Sequence, residues 1–454
     1  MIPDILMTAL WLLFVLGAGW SVSSLIAGRE AFTAPGKTAL SYGLGLGLLT
    51  FIMTALSLLD IRFNIFSVTL WAMPLVIAAI VKARADFLPR PARDSAPFSG
   101  LEIFFISAIS LEIAYVLFRA FIRPLEGYDA IAMYALKAKI FYLQGIIPHG
   151  FAAIFKDWMP HIEYPLLISL AETSIYVFCG SLNDLLAKSI FPLYYLSILA
   201  FFYFMVRRFL DRRGSLLFLF LLASVPQFTD FATNGYADLP FSFYSSASFF
   251  CMYLWLRERK NPYIILSFVL LIFAVWTKPE GLMFVCVNAA VLLFCTAREK
   301  DLLARAAVYA IFSLLLLALY VFISRFMGMP VNSDFNASGI PLNEKFRIAV
   351  ERIPLILYEY QIQFFGPKKW NIVWMLFIAG FLLNFKKAFS KALIPVTLVI
   401  LFMLSGYSVV YMLSTSPRGI EWHLSTSGSR LFLHFLPMTV FWLALLYKEL
   451  KLEI

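Results

Sequence analysis

The chain is a succession of apolar runs, mostly about twenty residues long, separated by short polar turns. The runs lie near 5–27, 38–59, 63–82, 100–121, 183–206, 214–231, 237–256, 262–277, 280–297, 304–327, 371–385, 392–414 and 431–448. Their length fits helices crossing a bilayer, whereas a membrane barrel would alternate over about ten residues. Inside lipid only helices and closed barrels satisfy every backbone N–H and C=O. The pattern therefore predicts an all-α polytopic membrane protein with about 13 transmembrane helices. One further stretch, "PLLISLAETSIYVFC" (165–179), is short and carries Glu172, so it is expected to be re-entrant or interfacial.

That reading fixes the sidedness. Loops at 82–93, 207–213, 257–260, 298–305, 386–391 and 448–451 fall on one side, and all are basic or mixed. A basic excess marks the cytoplasmic face. The other face carries two long loops, 122–164 and 328–370. It also carries the polar connections "TNGYADLP" (233–240), "WTKPEG" (276–281) and "STSPRGIEWHLSTSGSR" (414–430). Acids, histidines, prolines and aromatics gather there, and loops on a rigid scaffold are where function concentrates. The expected location is the inner (plasma) membrane, with the site facing the periplasm or outside.

Composition agrees. The 454 residues are 61% hydrophobic and only 14% charged, against about 25% charged in a soluble protein. The net charge of +10 resides mostly in short turns, and no basic run is interleaved with aromatics on a soluble domain. The bilayer is the expected partner and nucleic acid is not. Cys179, Cys251, Cys286 and Cys295 lie in apolar runs without metal-ligand spacing. There is no HExxH, GxSxG, P-loop or GxGxxG, so ATP-driven transport is not expected.

The outer loops hold the candidate chemistry. In "EGYDAIAMYALKAK" (126–139), Tyr128 and Asp129 open a segment that reads as a helix over 128–143. At 100° per residue, Lys137 and Lys139 each lie about 80° from the Asp129 direction. Met133, Leu136 and Ile140 form an apolar surface between them, as on a helix lying in the interface. Asp129 either caps that helix or does chemistry; the lysines either snorkel or bind phosphate. "WMPHIEYPLL" (158–167) holds His161 and Glu163 on a stiff bend between Pro160 and Pro165. Asp238 stands two residues before Pro240 at the outer end of an apolar run, as an N-terminal carboxylate, a functional acid, or both. Lys278 and Glu280 share a tight connection. His423 precedes the last run and Arg430 opens it, while His434 within it reads as packing. Arg430 runs against the positive-inside bias, and its planar fork suits phosphate. Acids beside several cations on the outer face point to a membrane-resident substrate that carries a phosphate.

Five pieces in order, "GYDAIAMYALKAK", "HIEYPLL", "NGYADLPFSFY", "WTKPEG" and "SRLFLHFLP", give the chain a resemblance to the GT-C superfamily of integral membrane glycosyltransferases. It resembles most the protein O-mannosyltransferase and lipid A aminoarabinose transferase group. Two features depart from that group: the usual Asp-Glu pair is Asp129-Ala130, and the motif follows the fourth apolar run. The resemblance implies N-terminal transmembrane helices over 1–99 and a GT-C-like catalytic core over 100–454, with interfacial helices in the first long outer loop. It implies a sugar donor linked through phosphate to a polyprenyl lipid, and a lipid-linked glycan, lipid or protein as acceptor. Asp129 would be the general base or orient the acceptor. Asp238 would hold an acceptor hydroxyl or the sugar. Lys137, Lys278, His423 and Arg430 would stabilise the leaving phosphate, with Tyr128, His161, Glu163 and Glu280 also contacting substrate. No cofactor is required, although a divalent metal can be accommodated. The competing expectation is a polyprenyl-linked glycan transporter or polymerase-type protein. That reading calls for charges deep in several helices, where Glu112 and Glu172 are the main acids.

Overall fold

The computed structural model describes residues 2–28, 31–83, 97–326, 341–415 and 418–451. The expected 82–93 loop, most of it, and the "NAS" sequon at 336–338 lie outside the described residues. The fold is all-α, with no strand among the described residues.

The count of about 13 crossing helices is not confirmed. Six helices are long and apolar enough to cross a membrane: Ile2–Ile26, Ala34–Leu58, Gly100–Ile122, Asp184–Val206, Lys300–Val321 and Ile394–Leu413. A seventh is the pair Ile420–Leu433 and Leu436–Lys451, bent by 48°. A hydropathy window registers apolar content but not chain breaks. The run at 63–82 splits into Ile65–Leu70 and Met73–Ala83. The run at 214–231 splits at Pro226, which has no N–H to continue a helix and instead opens a new one, Pro226–Phe231. The run at 371–385 yields only Val373–Leu383. The run at 237–256 forms one helix, Asp238–Glu258, whose serines at 242, 245, 246 and 248 lower its hydropathy and lie buried. Leu167–Cys179 spans roughly 20 Å, short of the ~30 Å hydrocarbon core, as the re-entrant reading requires.

Residues 1–99 are continuous with the rest of the core. Trp11 Nε1 donates to Ser174 Oγ at 2.8 Å, and Tyr244 OH donates to the Gly43 carbonyl at 2.8 Å. Helices Ile2–Ile26 and Ala34–Leu58 approach backbone to backbone through Gly19 and Gly45, where a Cβ on either would collide with the other helix.

The basic loops share one end. Arg208 pairs with Glu258, Arg212 with Glu102 at 2.8 Å, Arg259 with Glu299 at 3.1 Å, and Lys451 with Asp211 at 3.6 Å. Tyr253 OH reaches the Ala392 carbonyl at 3.0 Å and brings the 386–391 turn to the same end. The opposite ends of these helices bring together Asp129, Asp238, Lys278 and Arg430.

Candidate functional site

Three chain segments converge on one buried carboxylate. Asp238, in the first turn of Asp238–Glu258, is 0% exposed. Its Oδ1 accepts from Lys278 Nζ at 2.8 Å and lies 3.0 Å from His434 Nε2; its Oδ2 accepts from Arg430 Nη2 at 3.0 Å. Arg430 Nε also lies 3.2 Å from Oδ2. Burying a carboxylate is costly unless it is paired and hydrogen-bonded, and here every side of it is. His434 Nδ1 is 2.7 Å from Tyr407 OH. A neutral imidazole with its proton on Nε2 satisfies both contacts, donating to Asp238 and accepting from Tyr407.

Arg430 bridges to the second acid, with Nη1 2.7 Å from Asp129 Oδ2. Its guanidinium carbon lies 4.9 Å from the centre of the Tyr236 ring. Gly127, at φ +93°, turns the chain into Asp129, and a Cβ there would strike the Tyr236 ring. The Gly127–Tyr236–Arg430 stack thus fixes where Asp129 stands. Lys278 also pairs with Glu280 at 3.0 Å. The exposure is graded: Asp129 and Arg430 keep 17% and 18% of their side-chain surface open, while Asp238 keeps none.

Residues 129–135 do not form the regular helix expected of them. Asp129–Ala135 is a π-helix that continues into Leu136–Gln144, a local form often found at functional sites. Lys137, expected at the interface, lies buried instead. It is 0% exposed and donates to the carbonyls of His161 and Ile162 at 3.0 and 3.2 Å. Burial pushes its pKa down to about 7, with the Glu163 carboxylate pulling the other way. Its amine fastens the bend on which His161 sits at φ +48°. His161 Nδ1 is 3.3 Å from Glu163 Oε1, and its ring packs against Tyr164. Lys139 pairs with Asp184 at 2.7 Å.

The structure therefore brings together Asp129, Asp238, Lys278, Glu280 and Arg430. His423 stands about two turns before Arg430 on the same helix, with Nδ1 2.7 Å from Ser414 Oγ and its ring against Tyr411. Tyr128 is exposed, one residue before Asp129. His434, expected to be packing, belongs to the cluster, as do Tyr407 and Tyr236. The one available signal for His434 is that it lies four residues after Arg430 and so can share its helix face. Asp238 has no oxygen left open for an acceptor hydroxyl; it holds cations in place. Among the described residues no three His, Cys, Asp or Glu side chains converge as a metal would need.

Residues 165–325 match the family model described as dolichyl-phosphate-mannose-protein mannosyltransferase. Over that segment the expected GT-C likeness is borne out. The matched segment contains Asp238, Lys278 and Glu280, while Asp129 and Arg430 reach it from outside. No curated protein matches the chain. A solved structure of the archaeal oligosaccharyltransferase AglB from Archaeoglobus fulgidus, in complex with an inhibitory peptide and a dolichol-phosphate, aligns at 12% identity and a TM-score of 0.48. The alignment covers 78% of this chain and 52% of AglB, so the chain spans about half the length of that protein.

Proposed function

We propose that the chain is a membrane glycosyltransferase that moves a hexosyl or pentosyl group from a polyprenyl-phosphate donor to an acceptor on the outer, periplasmic face of the inner membrane. The observation that carries this reading is the Arg430 bridge, which sets one open carboxylate beside a guanidinium held by a closed one. The acceptor oxygen attacks the anomeric carbon while its proton passes to Asp129. The bond from that carbon to the phosphate oxygen breaks, and the lipid phosphate leaves with the electron pair. Arg430 has five N–H donors and Lys278 three; their contacts to Asp129, Asp238 and Glu280 leave donors free on both. Those donors face charge that grows only in the transition state, which is where electrostatic stabilisation accelerates a reaction. A cavity of about 500 Å³ beside the π-helix, walled by Phe121, Ile122, Leu125, Ile131 and Leu185 and edged by Arg123, Lys139 and Asp184, offers room for the start of the polyprenyl chain. The acceptor is a lipid-linked glycan, a lipid or a protein. The scheme runs on protein cations and requires no cofactor.

The test is Asp129→Asn in membranes supplied with labelled polyprenyl-phosphate sugars. Transfer should fall at least a hundredfold, with expression and insertion unchanged, and a chelator should leave wild-type transfer intact. Wild-type rates in the variant would remove Asp129 as the base, and chelator-sensitive transfer would add a metal to the site.

A further inference from the structure

Two buried polar atoms beside this cluster have no hydrogen-bond partner among the described residues: the Tyr134 hydroxyl and Glu280 Oε2. Tyr134 is 0% exposed and sits on the π-helix that also carries Asp129. The charges of Asp129, Asp238 and Arg430, and the neighbouring Tyr164, all act on its hydroxyl, which burial holds well above the ordinary tyrosine pKa. The hydroxyl is therefore neutral and able to donate. Glu280 spends Oε1 on Lys278 and leaves Oε2 as a bare acceptor. An unbroken run of ion pairs, Asp129–Arg430–Asp238–Lys278–Glu280, joins the π-helix that carries Tyr134 to Glu280. An orphaned donor on the helix of Asp129 and an orphaned carboxylate oxygen beside Lys278 are expensive to keep dry. They suit a neutral ligand rich in hydroxyls, which both accepts and donates; a phosphate can only accept from a tyrosine and is repelled by a carboxylate.

We propose that Tyr134 and Glu280 form a sugar-hydroxyl subsite next to the phosphate-facing cations, and that these two residues hold the ring being transferred. This rests on the glycosyltransferase reading above. The hydroxyls come either from the donor sugar or from a sugar acceptor, and the two sources predict different losses.

Tyr134→Phe is the decisive variant because it deletes only an oxygen that hydrogen-bonds to no described residue. Its binding to polyprenyl-phosphate mannose, polyprenyl-phosphate glucose and bare polyprenyl phosphate is compared with wild type by tryptophan fluorescence in nanodiscs. If the donor sugar fills the subsite, the variant loses about tenfold in affinity for at least one sugar-bearing lipid and nothing for bare polyprenyl phosphate. If an acceptor sugar fills it, donor binding is unchanged and the acceptor KM rises about tenfold. Glu280→Gln should shift the same quantity in the same direction. Unchanged donor binding and unchanged acceptor KM in both variants would overturn the subsite and leave the transferase reading standing. Wild-type protein that binds none of the three lipids would instead overturn the transferase reading itself.

Discussion

Asp238 shows how a fully satisfied buried charge organises its neighbours. Lys278, Arg430 and His434 are each held by its two oxygens. Removing that charge leaves Lys278 with Glu280 alone and Arg430 with Asp129 alone, and breaking a buried pair typically costs about 3–5 kcal/mol. Asp238→Asn should therefore lower the thermal unfolding midpoint in detergent clearly, whereas Asp129→Asn, at the open edge, should change it little. Equal midpoints for the two variants would contradict this division. Five of the site residues were legible because a charge at the outer end of an apolar run breaks the pattern visibly. His434 and Tyr407 were not, since a histidine or tyrosine inside an apolar helix looks the same whether it packs or pairs. Lys137 is the converse case: its charge marks it as a ligand contact, while its amine folds inward onto two carbonyls.

At the scale of an element, the π-helix Asp129–Ala135 is the part that sequence could not supply. Nothing in "DAIAMYA" distinguishes i→i+5 from i→i+4 bonding. The helical-wheel angles for Lys137 and Lys139 assume a regular turn throughout, whereas the turn before Lys137 is π-helical and its amine lies against the 161–162 bend. The buried amine has a measurable signature. Its folded pKa of about 7 lies below the ~10.4 of an unfolded lysine. Between those values the unfolded chain binds a proton that the folded chain does not, so stability rises with pH across this window. The penalty is fully present below pH 7. Thermal midpoints measured from pH 7 to 10 should rise for wild type relative to Lys137→Met; parallel curves would place the amine in a solvated site. By contrast, the short helix Leu167–Cys179 was legible, because its length alone argues against crossing.

For the whole molecule, hydropathy gave the all-α membrane fold, but its count of about 13 crossings is not confirmed, because breaks such as the one before Pro226 are invisible to a window average. The grouping of basic turns was legible, and ion pairs hold those turns at one end. Sidedness is directly testable. In a chain with its native cysteines replaced by alanine, Glu126→Cys should react with an impermeant maleimide on intact spheroplasts. Arg259→Cys should react only after permeabilisation, and the reverse pattern would turn the molecule over. The bend between Ile420–Leu433 and Leu436–Lys451 has a mechanical consequence. The hydroxyls of Ser242 and Ser245 clasp the Leu433 and His434 carbonyls, each at 2.9 Å. The two limbs thus form a crank pinned to the helix that carries Asp238. Any pull on Arg430 away from Asp238 would have to turn the crank or slip its pin, so the two limbs cannot move independently of that helix.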